Sequence, residues 1–279
     1  MEKTPAVLSL GLSPCPNDTY IFHALLRNLV ESPFIFKPYM ADVEKLNTLA
    51  RSGTLDVTKL SLGIVPHIMR DYALLSSGAA LGWGVGPLVV ARRFLPEPAW
   101  GKACMAVPGL MTTANLLLDL HGGFQGERRE MPFNEVMPAV LRGGADMGVI
   151  IHEGRFTYER HGLVKILDLG EWWENFFHMP LPLGVIAVRR HISGQAALAV
   201  ERAITKSLAY AEAHPEASGE FVRAHAREMD EEVMRAHIRT FVTDFSRELG
   251  SAGKAAVEEL VARAAELRGL KAPAQGLFL

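Results

Sequence analysis

Gly143-Gly144-Ala145-Asp146-Met147-Gly148-Val149-Ile150-Ile151-His152-Glu153-Gly154-Arg155 is the stretch on which the reading of this chain turns. Two glycines release a short apolar run, 147–151, of the kind that forms a strand buried on both faces. The run stops at a titratable pair, His152-Glu153. In an open α/β sheet, ligands bind outside the carboxyl ends of the strands, and imidazole is the side chain that titrates closest to neutrality. A polar turn after a strand is the plainer account of the same two residues.

The same pattern occurs earlier. Gly53-Thr54-Leu55-Asp56-Val57-Thr58-Lys59-Leu60-Ser61 also has a glycine, an aspartate three residues on, and an apolar strand. Each copy closes a similar run. The first starts with a strand at 7–12 and a loop at 13–18. A helix capped by Asp18 or Thr19 follows, with Ile21, Phe22, Leu25, Leu26 and Leu29 on one face. Then come a strand at 34–40 and a helix opened by Asp42. The second starts with a strand at 103–107 and a loop at 108–111. A helix capped by Thr112-Thr113 follows, then a short extended piece at 131–133 and a helix at 135–142. A repeated unit, 7–62 and 103–152, predicts two similar α/β lobes of parallel strands facing one another across a cleft.

Outside the units, Pro96, Pro98 and Gly101 mark a crossing between lobes. Two apolar strands, 87–91 (PLVVA) and 182–188 (PLGVIAV), read as the paired connections. Beyond His191 the spacing is helical at 196–213, 216–225, 231–241 and 252–268, with charged outer faces. This tail is expected to pack back on the first lobe. The predicted division is a large discontinuous lobe, 1–93 plus 188–279, and a small lobe, 94–187.

Composition narrows the function. The 279 residues carry a formal charge of -2 and are 49% hydrophobic and 22% charged, which gives no basic footprint for nucleic acid or an anionic membrane. Two distant cysteines, Cys15 and Cys104, supply neither a disulfide framework nor a paired-cysteine zinc site. No run approaches the ~18 apolar residues of a spanning helix, and the N-terminal residues lack a secretory pattern, so a cytoplasmic location is expected. No histidine has metal-ligand spacing. GWGVG at 82–86 precedes a strand, unlike a dinucleotide fingerprint. No metal and no cofactor are expected.

Loops 13–19, 59–61 and 82–86 from one lobe, and 109–114 and 152–155 from the other, are predicted to converge in the cleft. Helix starts at Asp18-Thr19 and Thr112-Thr113 offer free N–H groups to an anion. The hydroxyls of Thr112 and Thr113 are expected to add donors there, beside Ala114. Lys59 ends a buried run as a ligand-binding charge or as a snorkelling surface lysine. Cys15 is read as a small buried residue rather than a nucleophile. His237, with the other scattered histidines, reads as a helix-face residue, and Trp172-Trp173 as core.

Taken together, SPCPNDT at 13–19, VTKLS at 57–61, GVGPLV at 84–89, Thr112-Thr113-Ala114, IIHE at 150–153, LPLG at 181–184 and AHPE at 213–216 resemble one family. It is that of the 1,4-dihydroxy-6-naphthoate synthases of the futalosine route to menaquinone, and the resemblance runs nearly end to end. It implies a fold like the type II periplasmic binding proteins, with an interlobe cleft and a helical C-terminal tail. It also implies a lyase acting on cyclic dehypoxanthinylfutalosine without a redox cofactor, with His152 as proton acceptor. The implied substrate contacts are Lys59, Leu60, Ser61, Thr112, Thr113 and Ala114, with Asn17 and Asp18 beside them. The expected partner is that small molecule, with no nucleic acid and no membrane; a homodimer is the one self-association considered. Two alternatives have different expectations. A non-catalytic small-anion binding protein of this fold is expected to carry an export signal. The related chorismate dehydratase is expected to lack the SPCPNDT segment.

Overall fold

The computed structural model describes residues 5–226, 230–271 and 276–279. Among them run β1 (Ala6–Leu12), β2 (Phe34–Met40), β3 (Val57–Ser61), β4 (Tyr72–Leu74), β5 (Ala80–Gly82), β6 (Leu88–Ala91), β7 (Met105–Val107), β8 (Arg128–Glu130), β9 (Met147–Ile150), β10 (Val164–Asp168) and β11 (Leu181–Arg189). They form two sheets. One has the order β2-β1-β3-β11-β4, with β5 on β11; the other is β10-β6-β9-β7-β8.

The repeat is real, and its aspartates explain it. β1 lies parallel between β2 and β3 just as β7 lies parallel between β8 and β9. Asp56 accepts hydrogen bonds from the N–H and hydroxyl of Ser9 at 2.8 and 2.7 Å, and Asp146 accepts from the Cys104 N–H at 2.9 Å. Each aspartate thus ties the entry of one strand to its parallel neighbour. The glycine three residues before it adopts the left-handed conformation, φ 65° at Gly53 and 76° at Gly143, where other residues are strained. An arginine from the crossing strand packs over each: Arg189 on Gly53 and Arg92 on Gly143.

Both sheets are mixed rather than purely parallel. β11 runs antiparallel to β3, and β6 antiparallel to β9. The reason is geometric: β3 and β9 end at the cleft, whereas β6 and β11 arrive from the opposite lobe, start at the cleft and run away from it. The expected boundary at 93/94 placed 87–91 in the first lobe; its pairing with β9 and β10 places β6 in the second sheet instead.

Two local readings are also corrected. The first helix is Pro16–Leu26, with Cys15 as N-cap and Pro16 in its first turn. Proline's missing N–H costs nothing at that point in a helix, so Asp18 and Thr19 sit inside the helix. The extended piece is β8, upstream of 131–133, and the next helix already begins at Phe133.

The tail helices Gly194–Ala213, Pro215–His225 and Glu231–Phe241 pack on helix Pro16–Leu26. There the Ser207 hydroxyl donates to the Ile21 carbonyl at 2.7 Å and accepts the Leu25 N–H at 3.0 Å. The last long helix, Gly250–Leu267, packs on β11 and also on helix Thr113–His121 of the other lobe. One buried cluster therefore runs through Leu60, Val185, Leu117 and Leu260. Fully burying each such side chain stabilises by about 1.5–3 kcal/mol. No helix among the described residues is long and apolar enough to cross a membrane.

Candidate active site

All five expected loops reach one cleft, with about 710 Å³ of empty space, part of it open to solvent. Asn17, Asp18, Lys59, Leu60, Ser61, Thr112, Thr113, Ala114 and His152 all line it. Their hydrogen bonds, however, separate groups that are free for a ligand from groups already committed.

His152 is free. It follows β9 with φ 56°, a conformation uncommon for a residue with a side chain. This turn carries the imidazole into the cleft and leaves Glu153 outside it, so the pair read from sequence is split. The ring meets Phe133 edge-on at 4.9 Å between centroids and lies within 13° of parallel to the ring of His237, at 6.0 Å. Among the described residues no hydrogen bond engages its ring nitrogens.

The threonines work differently from the expectation. Thr112 caps helix Thr113–His121, accepting the Asn115 N–H and donating its hydroxyl proton to the Gly109 carbonyl at 2.7 Å. Thr113 donates to the Leu183 carbonyl at 2.5 Å and accepts the Leu62 N–H at 2.9 Å. Both hydroxyl protons are thus committed within the protein. What faces a ligand is the helix start itself, whose first-turn N–H groups at Thr113 and Ala114 lie beyond the reach of intrahelical partners.

Lys59 is not a snorkelling surface lysine. It is 5% exposed, pairs with Asp18 (1% exposed) at 2.9 Å and donates to the Gly78 carbonyl at 3.3 Å. Asp18 also accepts from the Ser13 N–H, the Ser13 hydroxyl and the Asn17 amide at 3.1, 2.7 and 3.0 Å. Asn17 and Asp18 are therefore engaged by neighbours rather than presented to a ligand. Burial pushes the Cys15 thiol far up from its ordinary value, with Glu153 adding to the shift. This matches the reading of Cys15 as a buried residue and not a nucleophile.

Two cleft residues were not among the expected substrate contacts, although the loop that carries one of them, 152–155, was expected in the cleft. Arg155 holds the rim, donating to the Gly86 carbonyl and pairing with Asp168 at 3.1 Å; its place directly after His152-Glu153-Gly154 was the available signal. His237 comes from tail helix Glu231–Phe241 and is fully buried. It had no signal, since its partner Asn17 lies 220 residues away.

The lobes are clasped beside the cleft. Glu44 accepts the Met111 N–H at 3.0 Å, and Asn47 donates to the Met111 carbonyl at 3.4 Å. A Cβ on Gly63 would collide with the carbonyls of Met111 and Thr112. Burial pushes the Glu44 carboxyl up from its ordinary value, against hydrogen bonds from Asn47 and Met111 that pull it down. The folded chain then holds this proton more tightly than the unfolded chain. The contribution favours folding below the ordinary glutamate pKa and is lost as pH rises through the higher folded value. In Glu44→Gln the clasp persists without this titration. A plot of Tm against pH is expected to fall less than wild type just above the ordinary glutamate range; equal slopes would remove Glu44 as the cause.

The profile of a family described as "Menaquinone biosynthesis" matches residues 8–266. The 1,4-dihydroxy-6-naphtoate synthase of Thermus thermophilus is 48% identical over 95% of this chain and 96% of its own length. Its namesake in Streptomyces coelicolor is 41% identical over 92% and 93%. Among solved structures, the periplasmic aliphatic sulphonate binding protein of Escherichia coli superposes with a TM-score of 0.66 at 11% identity, covering 96% of this chain and 89% of that one. That likeness shows a periplasmic-binding-protein-like fold and nothing about the ligand.

Proposed function

This chain belongs to the 1,4-dihydroxy-6-naphthoate synthase family of menaquinone biosynthesis, and from that premise we propose that it is the cytoplasmic lyase converting cyclic dehypoxanthinylfutalosine to 1,4-dihydroxy-6-naphthoate. The observation that carries this reading is His152, an imidazole at the end of a buried strand with no ring hydrogen bond among the described residues, in a cleft where Lys59, Asp18, Asn17, Thr112 and Thr113 are already bonded within the protein. The substrate joins a spiro-fused ribose to a carbocycle bearing a carboxylate. Aromatisation to the naphthoate drives the cleavage. His152 takes a proton from the opened sugar portion so that the carbon–carbon bond can break, its electron pair passing into the ring that becomes aromatic and the remaining sugar carbons leaving as a separate carbonyl fragment.

The N–H groups opening helix Thr113–His121 hold an anionic group of the substrate. Lys59, Leu60 and Ser61 line the opposite wall, where the lysine adds positive charge already balanced by Asp18. Clasped lobes exclude water and keep a carbanion-like intermediate from being reprotonated before the bond breaks.

The test is incubation of the purified protein with cyclic dehypoxanthinylfutalosine, following naphthoate by absorbance without added metal or nicotinamide. Turnover is expected. Tight binding without turnover would favour a binding protein, and neither would remove this substrate.

A further inference from the structure

Four buried groups form a hydrogen-bonded chain from one lobe into the tail. Lys59 pairs with Asp18 at 2.9 Å, the Asn17 amide NH2 donates to the same Asp18 oxygen at 3.0 Å, and the Asn17 carbonyl oxygen lies 3.0 Å from His237 Nε2. An ionised carboxylate only accepts. It therefore fixes which end of the Asn17 amide faces it and turns the carbonyl oxygen toward the imidazole. A carbonyl oxygen also only accepts, so His237 carries its proton on Nε2. The other nitrogen, Nδ1, is left with a lone pair. It is buried, in a side chain that lines the cleft, and has no hydrogen-bond partner among the described residues, which costs free energy unless a ligand supplies a donor.

We propose that His237 is a second substrate-contacting histidine, a neutral acceptor whose Nδ1 receives a hydroxyl of the sugar portion, with Asn17, Asp18 and Lys59 as the residues that set its tautomer. This rests on the proposed lyase reading for the substrate. It does not rest on that reading for the tautomer, which follows from the chain of donors and acceptors. The surroundings hold His237 neutral: burial lowers its pKa well below the ordinary value, and His152 and then Lys59 lower it further. A neutral ring beside His152 also leaves that imidazole unopposed as the base.

Two amide variants separate a ligand contact from a structural one. His237→Gln keeps a donor at the Nε2 level for Asn17 and loses the acceptor at the Nδ1 level; His237→Asn does the reverse. The expected result is a fall in kcat/KM of about 10- to 100-fold for His237→Gln at nearly wild-type Tm, since a substrate hydroxyl is left unpaired. His237→Asn is expected to lose less activity and more stability. If His237→Gln turns over within about threefold of wild type, or if the two variants rank in the opposite order in activity, the proposal is overturned. Nitrogen-15 spectra of the imidazoles of the wild-type protein are read alongside. Nδ1 unprotonated through neutral pH is expected, and a proton on Nδ1 overturns the proposal whatever the activity. Should wild type fail to convert the substrate, the lyase reading falls. The spectra then decide for or against the acceptor alone.

Discussion

Replacing His152 by Asn lowers kcat for naphthoate formation by about 10²–10⁴-fold, the range for loss of a positioned general base, without unfolding the chain. Asparagine is the informative replacement because His152 sits at φ 56°, a conformation that Asn tolerates better than most side chains. The backbone turn that separates His152 from Glu153 is thus kept while the basic nitrogen is lost. His152→Ala is expected to lose the same activity, with some stability besides, because Ala adopts this φ less readily. Since the ring meets Phe133 edge-on and His237 face to face, with no hydrogen bond to its nitrogens among the described residues, neither variant takes a hydrogen-bond partner from a buried group there. Steady-state rates and thermal melts on the same preparations check both halves. A His152→Asn enzyme within about tenfold of wild type would remove the base from the mechanism.

Asp18→Asn lowers the stability of the fold by about 3–5 kcal/mol, because it leaves the Lys59 ammonium buried without a counter-charge. The melting temperature is expected to drop by about 10 °C. Asp18→Asn with Lys59→Met removes the stranded charge and is expected to regain most of that loss, as apolar replacements of buried pairs often do. Activity is expected not to return with stability. An amide at position 18 donates as well as accepts, so it no longer dictates the orientation of Asn17, and through Asn17 the tautomer of His237. A double variant that regains both stability and turnover would reduce the pair to a packing element. A single variant that melts like wild type would show that water reaches Lys59.

Local pattern carried the fold a long way. The glycine–aspartate–strand repeat was legible because both copies obey the same local demands: a left-handed turn, a carboxylate reaching back to the neighbouring strand, and an apolar run buried on both faces. The crossing strands were legible as apolar runs, but not their direction. Whether β6 and β11 run with or against their neighbours depends on which side of the cleft the chain enters from, and no local preference encodes that.

For the site, the sequence determined which segments line the cleft, because strand ends and helix starts are local features. It also placed one titratable group, His152, at the end of a strand that reaches the cleft. Only the tertiary structure decided which polar atoms are free. The hydroxyl of Thr113 is tied to Leu62 and Leu183 across the cleft, Lys59 is neutralised by Asp18, and His237 arrives from a helix far along the chain. The reason is physical. A strand or helix start is dictated by residues within a few positions of one another, whereas a buried donor is satisfied by whichever acceptor packing brings within about 3 Å, however distant in sequence.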